Sequence, residues 1–330
     1  MFHSVRQCKG LVIGLSLFTA CGAVLAQDYV RAWPAKPVQV IVPFPPGGST
    51  EAEARLYTQK LGENLGKSFI MDFKPGAATV IGTNHVAKAA PDGYTLLAAT
   101  SSFVLSAVFS KDLPYDPVKD LAPVSMMTRR PSVLLINPNL PVKTPAEYIA
   151  YAKAHPGKLN VATTGSGGSP HIGAAWLHSV SGTQVTFVHY KGSGPLITDL
   201  IAGRVDANIT TFITAIPLQR AGKVRIIGVT TRERAQMWPD IPTMADGGAP
   251  GYDHSSWWGF LAPGKTPRAM VERINAEVVK AGGAPEVSKK MTEDGAVMAL
   301  SSPEQYAKAI VADLARLRKL VAENNIKSEE

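Results

Sequence analysis

The sequence predicts an α/β protein with mainly parallel strands. Short apolar runs alternate with segments of helical periodicity along most of the chain, and proline and glycine cluster in the connections between them. The candidate strands are Val38–Val42, Tyr94–Ala99, Val133–Ile136, Leu159–Ala162, Val185–His189, Ala207–Thr210 and Val224–Val229.

Several helix starts are marked by capping patterns. Thr50 and Glu53 have the spacing of a capping box. Thr144-Pro145-Ala146-Glu147 and Ser302-Pro303-Glu304-Gln305 each combine a capping hydroxyl, a proline at the first helical position and a reciprocal Glu or Gln. An apolar stripe then follows in the last helix and predicts a packing face: Tyr306, Ile310, Leu314, Leu317 and Val321.

The first 26 residues have the pattern of a secretory signal. Arg6 and Lys9 precede a largely apolar run, and Val24-Leu25-Ala26 offers a cleavage site. We therefore expect residues 1–26 to be a signal peptide and the mature protein to be periplasmic. Lipidation at Cys21 is an alternative, although Phe18 fits a lipidation site poorly.

Composition excludes several classes of function. Both cysteines, Cys8 and Cys21, lie in the predicted signal, so a mature chain has no disulfide, thiolate zinc site or cysteine nucleophile. The net charge of +8 falls to +6 without Arg6 and Lys9, and the basic residues are scattered. This distribution argues against nucleic-acid binding, while a positive field would draw anions into a cleft.

A mature chain of this length predicts two lobes. The connections are too short for flexible linkers, so the chain should cross between lobes on ordered segments near Thr128–Val133 and Trp257–Leu261. We assign residues 27–128 and 257–330 to lobe 1 and residues 129–256 to lobe 2. Trp257 and Trp258 themselves suit a core or hinge role better than stacking on a ligand.

The strongest local feature is the junction between strand Val38–Val42 and the next helix. Its turn contains Gly47 and Gly48, and a helix opens at Ser49 or Thr50, so free N–H groups and the helix dipole can bind an anion. The turn matches neither a Walker loop nor G-x-G-x-x-G, which disfavours nucleotide binding. A tight structural turn is the alternative.

A second junction of this kind follows strand Leu159–Ala162. Its candidate ligand contacts are Gly165, Ser166, Gly167, Ser169 and His171. Two such junctions in different halves are what a clamshell needs. Simple capping is the alternative, and the absence of G-x-S-x-G disfavours a serine nucleophile.

Polar residues at other strand ends are further candidates, since open α/β sheets bind ligands at these ends. Ordinary loop chemistry explains them equally well. The histidines show no metal-ligand spacing, and no cofactor motif is present. These candidates are Ser101 and Ser102, which follow Thr100, together with Thr210, Thr211 and Phe212.

Motifs spread over the chain resemble the TctC or Bug family, the solute-binding proteins of tripartite tricarboxylate transporters. They are Trp33-Pro34-Ala35-Lys36-Pro37, Val42-Pro43-Phe44-Pro45-Pro46-Gly47-Gly48-Ser49-Thr50, Lys74-Pro75-Gly76-Ala77, Ala87 to Leu96, Leu113 to Asp120, Pro156-Gly157-Lys158-Leu159-Asn160, Tyr190-Lys191-Gly192-Ser193 and Asp240-Ile241-Pro242-Thr243.

The resemblance implies a periplasmic-binding-protein type II fold, with two α/β lobes joined by two crossing segments. It also implies that backbone amides, short hydroxyls and ordered waters hold a small carboxylate, with Gly47 to Thr50 and the Thr100-Ser101-Ser102 loop on one side and Gly165 to Ser169 on the other. Phe44, within the second motif, is a further candidate ligand contact. The chain departs from the family pattern at Glu51, at Ala78-Thr79-Val80 and at Thr210-Thr211.

We therefore expect a non-enzymatic, monomeric carboxylate carrier that delivers its ligand to permease subunits and needs no cofactor or metal. Dicarboxylates, tricarboxylates, aromatic acids and amino acids are all candidate ligands. A partner role with a sensor kinase is an alternative, and a serine hydrolase using Ser166 or Ser169 with His171 is a weaker one. If Glu51 faces the cleft, an amine-bearing ligand is favoured.

Overall fold

The computed structural model describes residues 29–46, 49–110, 112–190, 193–293, 295–323 and 326. The predicted signal peptide and Gly47 and Gly48 lie outside these residues. The predicted α/β class is confirmed, since a mixed sheet is covered by helices on both faces. The prediction of mainly parallel strands is wrong, because β4 and β9 run antiparallel to their neighbours and five of the nine pairs of described strands are antiparallel.

The strands in chain order are β1 (Val38–Val42), β2 (Phe69–Phe73), β3 (Thr95–Thr100), β4 (Leu121–Ile136), β5 (Asn160–Thr163), β6 (Thr186–His189), β7 (Ala207–Thr211), β8 (Arg225–Val229), β9 (Ser255–Pro263) and β10 (Val297–Met298). The helices are α1 (Ser49–Leu65), α2 (Val80–Ala87), α3 (Ser101–Phe109), α4 (Pro145–Ala154), α5 (Ser169–Ser181), α6 (Ser193–Ile201), α7 (Phe212–Arg220), α8 (Arg268–Gly282), α9 (Pro285–Glu293) and α10 (Pro303–Glu323).

The long strand β4 belongs to two sheets in succession. Its first part joins sheet A, which has the order β2-β1-β3-β9-β4-β10. Its last residues join sheet B, which has the order β6-β5-β7-β4-β8. We call each sheet and the helices packed on it half A and half B.

Each half has three layers. In half A, α1, α8 and α9 cover one face of the sheet, around Tyr57 and Ile274, and α2, α3 and α10 cover the other, around Phe103 and Leu314. In half B, α4 and α5 cover one face and α6 and α7 the other. The apolar stripe predicted for the last helix lies in the half A core, although Leu320 is buried at its end and Val321 is only half-buried.

Two of the predicted helix starts form as expected. Thr144 accepts a hydrogen bond from the Glu147 N–H at 3.2 Å. Ser302 and Gln305 exchange hydrogen bonds, with the Gln305 N–H donating to Ser302 Oγ at 3.2 Å and the Ser302 N–H to Gln305 Oε1 at 2.9 Å.

The capping box predicted at Thr50 is wrong. Helix α1 begins one residue earlier, at Ser49, and the Glu53 carboxylate reaches across to β4. Thr128 Oγ1 donates to Glu53 Oε2 at 2.8 Å, and Arg130 Nε donates to Glu53 Oε1 at 2.7 Å. Glu53 therefore ties the start of α1 to the strand that leaves half A.

Candidate functional site

The carboxyl ends of the parallel strands in the two halves face each other. At the end of β3, Thr100 pairs with Trp258, which also pairs with Thr128 of β4. At the end of β7, Thr211 pairs with Ser132 of β4. Four residues of one extended strand separate these two levels, or about 13 Å at the usual rise. A narrow cleft therefore lies between the two edges where α/β sheets bind ligands.

On the half A edge, the loop after β1 leads into α1. Phe44 is half-buried and packs against the half A core, whereas Pro45 and Pro46 are exposed. Thr50, in the first turn of α1, is 8% exposed. The loop is thus anchored at both ends, and the predicted contacts at Gly47 and Gly48 lie outside the described residues.

The two acidic side chains in the first turn of α1 are both engaged. Glu51 forms an ion pair with Arg55, one turn along the helix. Glu53 is 3% exposed and bonded to Thr128 and Arg130. Each carboxylate near the helix start therefore has an arginine beside it, which reduces its repulsion of a ligand anion there.

Thr100, the last residue of β3, caps the helix that follows. Thr100 Oγ1 accepts a hydrogen bond from the Ser102 N–H at 3.2 Å, and α3 begins at Ser101. Ser101 and Ser102 are half-buried. One turn later, Ser106 donates to the carbonyl of Ser102 at 2.8 Å and contacts the carbonyl of Ala78.

The Ala78 contact holds an unusual turn after β2. Ala77, Ala78 and Thr79 have φ angles of 45°, 48° and 84°, a left-handed conformation that side chains other than glycine rarely adopt. Thr79 is buried and Thr79 Oγ1 lies 3.4 Å from Ser106 Oγ. A strained turn therefore lies on the same edge of half A as the β1 and β3 loops.

On the half B edge, two histidines hold the loop between β5 and α5. The Gly167 N–H donates to His171 Nδ1 at 3.0 Å, and Thr163 Oγ1 lies 3.2 Å from the Gly165 carbonyl and 2.6 Å from His189 Nδ1. Because a hydroxyl has one proton, a Thr163 bond to Gly165 requires His189 to donate. The side chains of Thr163, His171 and His189 therefore hold the loop by hydrogen bonds.

His171 is itself 5% exposed, and its ring lies 4.6 Å from Phe187 and 4.8 Å from His189. Burial, reinforced by the neighbouring His189, lowers the pKa of His171 to about 4. The ring is therefore neutral at pH 7, and its Nδ1 atom can accept the hydrogen bond from the Gly167 N–H. His171 shapes the loop from the core side. Ser166 and Gly165 are half-buried.

Helix α5 starts without a side-chain cap. Its N-cap is Gly168, which offers no hydroxyl or carboxylate to the first N–H groups of the helix. Ser169 Oγ lies 3.3 Å from Nε2 of His254, so this serine pairs with His254 and not with His171. Burial lowers the pKa of His254 to about 4, which makes it a weak base.

The starts of α3 and α5 meet at one small cavity of about 20 Å³, which has room for about one water molecule. Ser101 and Val104 of half A and Ser169 and Ile172 of half B line it, and His254 closes one side. Ser255, Asp313 and Arg316 complete its polar wall. The structure therefore brings together Ser101, a candidate at the end of β3, and Ser169 of the second junction, whereas the described residues of the first junction are not among those that line this cavity.

The remaining candidates, at the end of β7, differ in their exposure. Thr210 is half-buried and Thr211 is exposed at the cleft. Phe212 is 2% exposed, and its ring stacks on Trp238 with centroids 4.2 Å apart. The Phe212 side chain thus packs in the half B core.

Sequence reasoning gave no role to the residues that close the base of the cleft. Thr230 Oγ1 accepts a hydrogen bond from the Ser132 N–H at 3.0 Å and donates its one proton to the His254 carbonyl, at 2.7 Å, in competition with the Ser132 carbonyl, at 3.0 Å. This side chain joins the two segments that pass between the halves. These partners lie far apart in the chain, so no local pattern indicates them.

The chain matches the model of the tripartite tricarboxylate transporter family receptor, TctC, over residues 53–326. It belongs to this family. A curated relative, the UPF0065 protein in the tcbD-tcbE intergenic region of Pseudomonas sp. strain P51, is 34% identical over 98% of this chain and 96% of its own length. The resemblance found in the sequence motifs is confirmed.

Two solved structures of similar proteins contain dicarboxylates. Rpa4515 of R. palustris with adipate is 33% identical, with a TM-score of 0.72 over 89% of this chain and 99% of that one. MatC (Rpa3494) of Rhodopseudomonas palustris with bound malate is 31% identical, with a TM-score of 0.68 over 88% and 100%. This TctC chain is thus a solute-binding receptor by family.

Two findings on membranes and metals hold for the described part of the chain. No helix there is long and apolar enough to cross a bilayer. No group of three His, Cys, Asp or Glu side chains there is placed to hold a metal ion.

Proposed function

We propose that this TctC receptor captures a small dicarboxylate in the cleft between the two halves and delivers it to the permease subunits of a tripartite transporter. The protein acts by binding and not by catalysis. Its place of action is the periplasm, reached through cleavage near Ala26. The two halves correspond to lobes 1 and 2, which close over the ligand.

One observation carries the proposal: helix starts in opposite halves face one small cavity, which the halves must widen by moving apart before a dicarboxylate can enter. Ser101 opens α3 and Ser169 opens α5, and both line it. The first N–H groups of an α-helix have no partner within the helix, and the positive end of the dipole favours an anion. Gly168 leaves those of α5 without a side-chain cap. A carboxylate that bridges both helix starts favours the closed state.

The charges beside the β1 loop support a dicarboxylate over an amine-bearing ligand. A carboxylate near α1 with no cation beside it would favour an amine-bearing ligand. The Glu51 carboxylate is paired with Arg55, and the Glu53 carboxylate is paired with Arg130. The adipate and malate in the two relatives agree with this choice.

The ligand contacts we propose in the described residues are the hydroxyls of Thr50, Ser101, Ser102, Ser166, Ser169 and Thr211 with the backbone of Gly165 and Gly167. Gly47, Gly48 and Ser49 complete the set by analogy with the family motif. The other predicted site residues support the loops without touching the ligand: Phe44, His171, Thr210 and Phe212. Two of them, His171 and Phe212, are buried against other side chains.

Isothermal titration calorimetry on ligand-free protein tests the proposal. Adipate and malate should bind, and glutamate and benzoate should bind at least about tenfold more weakly. Ser101→Ala and Ser169→Ala should each weaken binding by about tenfold, the usual effect of one hydrogen bond to a charged group. Ser68→Ala is the control, because Ser68 is exposed at the opposite end of β2. Absence of binding to all four acids would refute the proposal.

A further inference from the structure

Two helices from opposite halves pack together beside the cleft. Helix α10 belongs to half A, where Tyr306 and Ile310 pack with Phe103. Helix α5 belongs to half B, where Ala174 and Leu177 pack in the core. The other face of α5 joins the half A core, since Ile172, Ala175 and Trp176 cluster with Leu314 and Leu317. This contact lies beside the segments that connect the halves, since Arg316 and Ser255 of β9 line the same cavity.

A cation and an aromatic ring meet within this contact. The guanidinium carbon of Arg316, on α10, lies 4.0 Å from the centroid of the Trp176 ring, on α5. Such a stack is a cation–π interaction, and it strengthens as the groups are removed from water. The Arg316 side chain is 28% exposed, and its Nη1 atom is buried.

Each partner is held by its own half. Arg316 Nη2 donates to Asp313 Oδ1 at 2.5 Å, and Asp313 Oδ2 accepts from the Trp257 indole N–H at 2.9 Å. On the other side, Trp176 makes an edge contact with Tyr252 at 5.2 Å. The Tyr252 hydroxyl donates to the Gly173 carbonyl at 2.9 Å. Because both groups are oriented in advance, they lose little freedom on meeting.

We propose that Arg316 and Trp176 form a closure latch, an interaction between the halves that sets ligand affinity by stabilising the closed state. The latch rests on the proposed function for its effect on affinity, but its effect on the halves needs no ligand. The ligand binds both halves only when they are closed, so its apparent affinity scales with the population of that state. Arg316 and Trp176 are therefore positioning residues.

The size of the effect follows from the strength of a partly buried cation–π pair. Loss of the pair should shift the ratio of closed to open protein by about threefold to tenfold. When the open state dominates the ligand-free protein, the dissociation constant rises by the same factor.

The halves can be followed directly with spin labels. Ile81 near the start of α2 and Ile213 near the start of α7 are 54% and 63% exposed, one at each rim of the cleft. Ile81→Cys and Ile213→Cys supply attachment points in the exported protein. Double electron–electron resonance on ligand-free samples then gives the distance across the cleft.

We expect Arg316→Ala to shift the distances to longer values and to raise the adipate dissociation constant by about threefold to tenfold. Trp176→Leu should do the same, and the double variant should be no worse than either single one, because both remove one interaction. Arg316→Lys should recover part of the effect. Arg318→Ala is the matched control, since Arg318 lies on the exposed face of α10.

A wild-type distance distribution in both Arg316→Ala and Trp176→Leu would overturn the latch. An equal shift in Arg318→Ala would overturn it as well. If Arg316→Ala fails to fold, Arg316→Lys and Trp176→Phe provide the same comparison with smaller changes. Longer distances in a protein whose wild type binds no dicarboxylate would keep the latch and refute the proposed ligand.

Discussion

Glu53 illustrates how one side chain can join a helix to a crossing strand. It is 3% exposed and bonds both Thr128 and Arg130 of β4, and the Arg130 side chain is 19% exposed. Glu53→Gln replaces this nearly buried ion pair with a neutral amide. We expect a loss of about 3 kcal/mol in the free energy of unfolding, measured with urea at pH 7.

The control for this prediction lies on the same helix. Glu63 has a side chain 62% exposed and pairs with Lys60 on the surface, so Glu63→Gln should change the free energy of unfolding by less than about 0.5 kcal/mol. Equal effects of the two variants would show that the bonds of Glu53 to β4 contribute no stability.

Gly173 permits a close approach of α5 to His254. A Cβ atom at this position would lie 2.5 Å from His254 Cδ2 and 2.7 Å from its Nε2. His254 is 6% exposed, and its backbone N–H donates a hydrogen bond to the Thr230 carbonyl, so the ring has little room to move. Gly173→Ala should therefore lower the free energy of unfolding by about 1–3 kcal/mol despite the better helix propensity of alanine.

Gly62 provides the matched comparison, because it also lies inside a helix. A Cβ there meets only the Lys67 carbonyl oxygen, at an ordinary 3.4 Å. Gly62→Ala should raise the free energy of unfolding by up to about 1 kcal/mol. If both alanine variants stabilise the protein, the contact with His254 is not tight.

At the scale of elements, the two segments that pass between the halves are tied by Thr230. Its side chain is fully buried and bonds Ser132 and His254. Thr230→Val leaves the Ser132 N–H without its side-chain acceptor, at a cost of about 1–3 kcal/mol. Amide hydrogen exchange at Ser132 should become faster, whereas Thr231→Val, which removes a bond to the Glu233 carbonyl at the surface, should leave it unchanged.

Which elements the sequence predicts depends on where their apolar residues lie. Strand β1 has the predicted bounds, and β3 and β5 to β8 lie within one or two residues of theirs, since their short apolar runs are flanked by turns. For β4, only Val133–Ile136 was predicted. Its first part contains Pro123, Arg129, Arg130 and Pro131, and it pairs with β9 and β10, which lie far along the chain.

Strands β2 and β9 were also missed, for different reasons. Phe69–Phe73 is short, with Asp72 near its end, and only Phe69 is fully buried. In β9, Trp257, Trp258 and Gly259 resemble a hinge more than a strand, yet this segment runs along sheet A for its whole length. The chain leaves half B just before it, where the His254 N–H donates to the Thr230 carbonyl.

At the scale of the whole molecule, the two strand-to-helix junctions are readable in the sequence, whereas the contacts that support them are not. The loops are local patterns of glycine and hydroxyl residues before a helix, so they can be recognised in the sequence alone. Their support comes from pairs distant in the chain, such as Thr163 with His189 and Arg316 with Trp176. The ligand contacts themselves stay a prediction.

Three buried histidines connect the stability of the whole molecule to pH. His171, His178 and His254 are each at most 6% exposed, and burial lowers the pKa of each to about 4. An unfolded histidine has a pKa near 6.5. Between these values the unfolded chain binds protons that the native protein does not, so stability falls as the pH is lowered from about 6.5 towards 4.

Each histidine can contribute up to about 1.4 kcal/mol per pH unit in this window. His178 is the best one to remove, because it lies in the half B core, away from the cleft, bonded to Tyr148 and Thr183. His178→Gln should be less stable at pH 7 but lose stability less steeply between pH 6 and pH 4.5, measured by urea unfolding. Ile209→Val, a core change without a titratable group, should keep the wild-type slope. Equal slopes in all three proteins would mean that His178 is protonated in the native state, since a histidine with a low native pKa must contribute to the slope.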